Sequence, residues 1–111
     1  MTLYLVQGTY TPEAVAAQVR NPADRIEVLR PGLEKTGARI VAYGYPSTHA
    51  GLALMVEVPE GKEREALNMS VYAGGAFTSI HAERLMSGAE WVDLLRASQG
   101  PSADYIPPGQ T

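Results

Sequence analysis

The chain of 111 residues contains no cysteine. Disulfide bonds, thiolate nucleophiles and thiol-ligated metal sites are therefore excluded. Histidine is scarce, with 2 residues, and neither the His-x-x-His nor the His-x-x-x-His spacing of metal sites occurs. There is no glycine-rich phosphate loop and no Gly-x-Ser-x-Gly motif of serine hydrolases. Acid-base chemistry remains open, and we expect no metal and no cofactor.

Positive charge is also in short supply. The chain has 9 Lys and Arg against 12 Asp and Glu, a formal charge of −3. A nucleic-acid binder needs a basic surface that displaces phosphate counterions. No apolar run approaches the roughly 20 residues of a membrane span, and no basic segment precedes the short apolar N-terminus. We expect no nucleic-acid partner, no membrane partner and a cytoplasmic location.

The segments with strand character alternate with segments of helical spacing. Residues typical of pleated sheets predict strands at 2–10, 38–45, 52–58 and 77–85. Thr11-Pro12-Glu13 predicts a helix start, Asn21 a cap for a second helical piece, and Gly37 a left-handed helix end. A further helix is predicted at 59–73. Ser87 and Glu90 form a capping box before a C-terminal amphipathic helix.

The order strand, helix, strand, strand, helix, strand, helix predicts an α+β fold. It is the ferredoxin-like βαββαβ arrangement with a C-terminal helix and an antiparallel sheet whose first and third strands are central. Residues 1–98 would form this domain, and 99–111 a Pro- and Gly-rich tail. The two crossover helices would cover one sheet face. The other face has no cover within the chain, so we expect a homo-oligomer, a dimer or larger, formed through this open sheet face.

Several segments are similar to one family. They are Tyr10-Thr11-Pro12, Asn21-Pro22-Ala23-Asp24-Arg25, Lys35-Thr36-Gly37-Ala38-Arg39, Val56-Glu57-Val58-Pro59 and Arg84-Leu85-Met86-Ser87. Together they resemble the GYD-domain family of the dimeric α+β barrel superfamily. The resemblance implies two sheets packed face to face across a two-fold axis. It also implies pockets between helices and sheet, as in related cofactor-free monooxygenases, cyclases, isomerases and haem-degrading enzymes.

The sequence departs from that family at one turn. Thr48-His49-Ala50-Gly51 stands where the family has a Gly-Arg-Tyr-Asp type sequence. Roles tied to the family's tyrosine or aspartate are therefore not transferred to this chain.

The two histidines are the first candidates for a catalytic base, because imidazole titrates near neutral pH. His49 lies in the predicted loop between the second and third strands, where it is either displayed for function or simply solvated. His81 lies on a polar face of the fourth strand with Ser79 and Glu83. It is either a base oriented by a carboxylate or a residue of an exposed edge or a subunit interface.

Tyrosine, with 6 residues, suits a pocket for a ring-bearing ligand, since the phenol has an apolar body and a polar tip. Tyr72 is a candidate hydrogen-bond donor to developing enolate charge, and Tyr43 is the second choice. Tyr4 and Tyr43 are candidate substrate-binding residues. Ordinary sheet packing would explain the strand tyrosines equally well.

Two charged residues complete the predicted site. Glu57 would be an acid or base if it faces a pocket, or a structural residue if its strand emerges into solvent before Pro59. Arg84 would bind an anionic substrate or pair with a surface carboxylate.

These residues favour a protein that binds a small molecule. The leading hypothesis is a cofactor-independent enzyme that performs isomerase- or cyclase-like proton transfer on a small carbonyl or aromatic compound. The alternative is a non-catalytic ligand-binding or assembly module, because the fold alone does not specify function.

Overall fold

The computed structural model describes residues 1–62, 74–100, 106 and 108–109. Within these residues four strands and three helices are found. The strands are β1 (Thr2–Tyr10), β2 (Arg39–Gly44), β3 (Gly51–Val58) and β4 (Phe77–Leu85). The helices are α1 (Pro12–Arg20), α2 (Arg25–Glu34) and α3 (Gly88–Ala97), and a 3-10 turn at Gly74–Ala76 precedes β4.

The strands form one sheet in the order β2-β3-β1-β4, and every neighbouring pair is antiparallel. β1 and β3 are central, as predicted. This strand order and pairing confirm the α+β, ferredoxin-like architecture. β2 and β3 form the expected hairpin, and a register shift in their pairing leaves Val41 without an opposite residue.

The pleat of β1 separates two sheet faces. Tyr4 and Val6 lie on the face that the helices cover, and both belong to the packed core there. Leu3 and Leu5 alternate with them and lie on the opposite, open sheet face. Since cross-strand partners share a face, Met55, opposite Leu5, lies on the open sheet face too.

Two adjoining clusters of buried side chains form the core on the covered face. The first contains Val6, Ala38, Val56 and Val58, and the second contains Ile26, Ile40 and Leu52. Leu33 of α2 packs against both clusters. Ile26 and Val58 are almost fully buried. α2 is therefore the helix that anchors this side of the sheet.

Side-chain caps define the helix ends. The Thr11 hydroxyl accepts the Ala14 N–H at 3.0 Å, and Pro12 occupies the first turn of α1, as predicted. The prediction that Asn21 caps the second helix was wrong. Asn21 ends α1, and the Asp24 side chain caps α2. Asn and Asp are both good N-cap residues, so the residue type alone does not determine which of the two caps α2. The path of the chain after α1 determines it.

The end of α2 follows the prediction more closely. Pro31 lies inside the helix, and the last turn is tightened, because the Thr36 and Gly37 N–H groups bond to carbonyls three residues back. Gly37 has φ +88, which is the left-handed helix end that the sequence predicted.

The C-terminal helix α3 begins with the predicted capping box between Ser87 and Glu90. No residue of α3 is buried, and Trp91, Leu94 and Leu95 are all about half exposed. The helix is joined to the sheet by an ion pair between Arg84 and Glu90 at 2.6 Å. Its apolar side is uncovered within the described residues.

Two predictions fall largely outside the described residues. The structure describes only positions 59–62 of the helix predicted at 59–73, so Tyr72 is not among the described residues. Most of the tail predicted at 99–111 is outside them as well.

Candidate functional site

The covered side of the sheet is not filled beneath α1. This helix has no buried residue, and two cavities lie beside it, of about 520 and 490 Å³. Tyr10 and Gln18 line both of them, so the two spaces adjoin. We name them the His49 cavity and the Arg25 cavity. Both spaces are open to solvent on one side, and mostly apolar clefts of this size with a few polar groups can hold a small molecule.

The His49 cavity lies between α1, the α1–α2 connection and the β2–β3 loop. Val15 and Val19 of α1 line one side, and Tyr45 and His49 line the other. The β2–β3 loop is held against β1, because the Tyr10 N–H donates to the Ala50 carbonyl at 2.9 Å. This bond fixes the loop that carries the histidine.

His49 is placed with one ring nitrogen engaged. Its Nδ1 lies 3.1 Å from the Thr48 hydroxyl oxygen. When Nδ1 carries the ring hydrogen and donates to Thr48, Nε2 is left as the basic nitrogen. His49 is therefore an exposed residue that lines the cavity and has a neighbour that can set its tautomer.

Two glycines make room for the aromatic rings around this site. A Cβ on Gly8 would lie 2.9 Å from the Phe77 ring, and a Cβ on Gly51 would lie 3.1 Å from the His49 ring. The Gly51 Cβ would also overlap the Gly8 carbonyl oxygen. Any side chain at either position would displace a ring or a strand.

The Arg25 cavity lies between α1, the start of α2 and the turn that precedes β4. Leu29, Leu52 and Phe77 contribute apolar walls, and Arg25 contributes a cation. Glu13, from the first turn of α1, lines the same cavity and is exposed. This cavity is the more polar of the two, since Glu13, Asn21 and Arg25 line it and not the other.

Tyr10 stands between the cavities. Its ring stacks on Phe77 with centroids 5.0 Å apart and an interplanar angle of 17°. Its hydroxyl oxygen is buried and has no hydrogen-bond partner among the residues that the structure describes. Burial raises the pKa of this phenol, the Arg25 charge opposes the rise, and the Asp24 charge adds to it. An unpaired buried hydroxyl is costly and is commonly satisfied by a ligand or a water molecule.

Asp24 fastens the start of α2 to the end of β2. Its carboxylate accepts the Tyr43 hydroxyl at 2.6 Å and also accepts the Tyr45 hydroxyl. The Tyr45 oxygen in turn accepts the Ile26 N–H at 2.9 Å. The Tyr43 hydroxyl also lies 2.9 Å from Glu27 Oε1, toward which it can donate instead. This wall of the His49 cavity is therefore fixed by a network of short bonds.

Hydrogen bonds and burial in this network shift the pKa values of its two carboxylates and two phenols. Hydrogen bonds from Tyr43 and then Tyr45 lower the pKa of Asp24. Hydrogen bonds from Arg30 and then Tyr43 lower the pKa of Glu27. Burial, followed by the hydrogen bond to Asp24, raises the pKa of Tyr45 to about 12. The pKa of Tyr43 is raised by its bonds to the two carboxylates. At neutral pH both phenols are protonated donors.

The remaining predicted site residues lie elsewhere. His81 is on the open sheet face opposite Gln7, its side chain 71% exposed and its Nε2 4.0 Å from Glu83 Oε2. Glu57 is on the same face, paired with Arg39 at 2.9 Å. His49 and His81 therefore lie on different sides of the sheet within one chain.

Two predicted binding residues are on the covered face but away from the cavities. Tyr4 packs against the first core cluster, and Arg84 is its cross-strand partner. Arg84 pairs with Glu90, which is the structural role that the sequence had left open for it.

Sequence reasoning missed Tyr10 and Arg25 as site residues. Tyr10 is the last residue of β1, and the Thr11-Pro12 helix start turns the chain over it. Residues that bind ligands often lie in loops and at the strand ends beside them. Arg25 directly follows Asp24, which was not predicted to be the N-cap of α2.

Comparison with known proteins finds no matching family model and no curated protein with significant similarity. The described residues hold no group of three or more His, Asp or Glu arranged to bind a metal. None of the helices in that part of the chain has the length and apolar character needed to cross a bilayer.

Proposed function

We propose that this chain binds a small aromatic or carbonyl compound beneath α1 and transfers a proton on it without a cofactor. His49 acts as the base. The observation that carries the proposal is the position of His49 on a largely apolar cavity of about 520 Å³. The Thr48 contact supports it further, because Nδ1 can donate to the Thr48 hydroxyl and Nε2 is then the acceptor.

The step is the enolisation of a ligand carbonyl. The bond between the α-carbon and its hydrogen breaks and the proton moves to His49 Nε2. The electron pair of that bond forms a double bond to the carbonyl carbon, and the π pair of the carbonyl moves to its oxygen. Where the enolate is conjugated with a carbon–carbon double bond, return of the proton to the far carbon of that bond completes an isomerisation. A positioned base of this kind contributes roughly 10²- to 10⁴-fold to the rate.

The choice of hydrogen-bond donor to the enolate follows from the contacts of the tyrosines. Tyr43 was one of two candidates, but its hydroxyl already lies between Asp24 and Glu27. Tyr72, outside the described residues, therefore remains the proposed donor.

Exchange of hydrogen for deuterium tests the proposal directly. Phenylacetone, which carries both a ring and an enolisable carbonyl, is incubated with the protein in deuterated buffer, and its α-hydrogens are followed by proton NMR. We expect protein-dependent exchange that His49→Gln lowers by about 100-fold. His81→Gln, the matched control on the open sheet face, should retain the rate. Equal rates for the wild type and His49→Gln would contradict the proposal.

We also propose that a second copy of the chain covers the open sheet face, as in a dimeric α+β barrel of the GYD type. Leu3, Leu5 and Met55 lie side by side on this face, and Leu85 continues the strip opposite Leu3. A contiguous apolar strip rimmed by charged residues is typical of a subunit interface. Sedimentation equilibrium of the wild type and Leu5→Glu tests this, with a dimer expected for the wild type and a monomer for the variant.

The second candidate function is a non-catalytic assembly module. The uncovered apolar side of α3, with Trp91, Leu94 and Leu95, favours it, because catalysis beneath α1 does not require that surface. Loss of self-association on Leu94→Glu, together with absence of ketone exchange in the wild type, would favour this candidate over the enzyme.

A further inference from the structure

Arg25 differs from three other arginines of α2 and the sheet in that it has no carboxylate partner among the described residues. Arg30, Arg39 and Arg84 each have a carboxylate oxygen within 2.9 Å. Arg25 is only partly exposed, and it has no ion-pair or hydrogen-bond partner for its guanidinium among the described residues. Its guanidinium is not used in an internal ion pair, so it can pair with an anion that enters the cavity beside it.

The surroundings of Arg25 suit an anion with an apolar body. Arg25 lines a cavity of about 490 Å³ that Leu29, Leu52 and Phe77 also line. Tyr10 lines both this cavity and the His49 cavity, and its buried hydroxyl lacks a partner among the described residues. The charge of Arg25 acts on the same phenol. One cation thus lines a space with apolar walls, and Tyr10, whose buried hydroxyl lacks a partner, lines the same space.

A carboxylate matches these two donors better than other groups do. Guanidinium presents a planar pair of N–H donors that fits the two oxygens of a carboxylate, and a phenol can donate to one of the same oxygens. A ring attached to the carboxylate would then lie against Phe77 and the leucines. A ligand of greater length would reach the adjoining His49 cavity past Tyr10.

We propose that the Arg25 cavity binds the carboxylate of an aryl-substituted carboxylic acid, with Arg25 and the Tyr10 hydroxyl as its donors. This inference rests on the proposed function, whose ligand it assigns to the class of carboxylic acids with an aromatic body. His49 then lies beyond the anchored end of the ligand, beside its reactive part.

One neighbouring residue has a negative charge and favours a cationic ligand. Glu13 lines the same cavity and would attract an amine rather than an acid. It is exposed, so water screens its charge more than that of Arg25. The relative affinities for the acid and the amine therefore show whether Arg25 or Glu13 has the larger effect on ligand binding in this cavity.

Three probes with the same ring separate these possibilities: 3-phenylpropionate, its primary amide and 3-phenylpropylamine. Affinities for the full-length protein are measured by isothermal titration calorimetry and by proton–nitrogen NMR shifts. We expect the acid to bind at least tenfold more tightly than the amide, and the amine most weakly, with shifts at Tyr10 and Arg25. A charge-assisted hydrogen bond has about that effect on an equilibrium.

Substitutions test which residues cause the preference for the acid over the amide. Arg25→Gln should reduce the affinity for the acid to that for the amide and leave the amide unchanged, which also shows that the variant is folded. Tyr10→Phe, which keeps the ring stack, should weaken the acid alone by several-fold. Arg20→Gln is the matched control, because Arg20 is exposed and lines neither cavity.

The outcomes distinguish this inference from the proposed function. Equal affinity for acid and amide, tighter binding of the amine, or an acid preference unaffected by Arg25→Gln would each overturn the inference. So would the absence of binding by all three probes. The exchange of phenylacetone hydrogens judges the proposed function separately, since that ketone carries no carboxylate.

Discussion

Replacement of Gly51 by alanine should destabilise the protein strongly, although the same change often stabilises a strand. Gly51 is buried at the start of β3, opposite Thr9 of β1. The added Cβ would overlap the backbone oxygen of Gly8 and press on the His49 ring at 3.1 Å. Backbone cannot rotate away as a flexible side chain can, so the two central strands must separate or shift.

The size of the effect follows from the kind of contact. Forcing one extra carbon into a packed region costs typically 1–3 kcal/mol, and a clash with backbone belongs at the upper end, so we expect about 2–3 kcal/mol. For a domain of this size each kcal/mol lowers Tm by roughly 4–8 °C, so Tm should fall by about 10 °C or more. This is a large part of the stability of a small domain.

Gly44→Ala is the matched control. Gly44 is the last residue of β2, a Cβ there would meet nothing within 4 Å, and its φ is not in the left-handed region. The added methyl group lowers the entropy of the unfolded chain, so stability should stay constant or rise by up to about 1 kcal/mol. The two variants carry the same chemical change, and only Gly51→Ala should lose stability.

Urea unfolding followed by far-UV circular dichroism measures both variants. With m of about 1–3 kcal/mol per molar urea, the Gly51→Ala midpoint should fall by about 1 M or more and that of Gly44→Ala should not fall. A Gly51→Ala midpoint equal to that of the wild type would refute the close approach of β3 to the Gly8 carbonyl.

Two further predictions concern the pH dependence of the Asp24 network. The folded pKa of Asp24 lies below its ordinary value of 3.8, so its contribution to stability is complete above that value and is lost as pH falls through the folded pKa. Urea midpoints of Asp24→Asn should therefore depend less on pH below about 4 than those of the wild type, and an unchanged acid dependence would contradict the network. Tyr45, with its pKa raised to about 12, contributes stability below pH 10 that is lost as pH rises toward 12. Ultraviolet titration of tyrosinate should show this late ionisation, and Asp24→Asn should move it only part of the way back, because burial is the larger cause.

The sheet could be predicted from the sequence because its signals are local. β1 and β4 were predicted with the bounds that the structure has, and the Ser87–Glu90 capping box was confirmed. Gly37 was predicted to be a left-handed helix end, and its φ of +88 confirms this. Hydrophobic alternation, caps and glycine positions lie within a few residues of the elements that they determine.

The candidate site could not be predicted to the same extent, because it depends on contacts distant in sequence. Tyr43 was expected to serve a ligand, yet its hydroxyl lies 2.6 Å from Asp24, 19 residues earlier in the chain. His49 and His81 were equivalent candidates until the pleat of the sheet placed them on different sides. The cavities exist because α1 does not pack onto the sheet, a property of the helix's position that its sequence pattern does not reveal.

The exposed helix α3 also determines what the chain's intrinsic fluorescence can report. The one tryptophan of the sequence, Trp91, lies on α3, is 50% exposed, and has no place in either core cluster. Its emission should therefore change little when the sheet unfolds, because the indole is already in contact with water. A partner that covers α3 would instead shift the emission to shorter wavelength. In this protein tryptophan fluorescence is a signal of association at α3 rather than of folding.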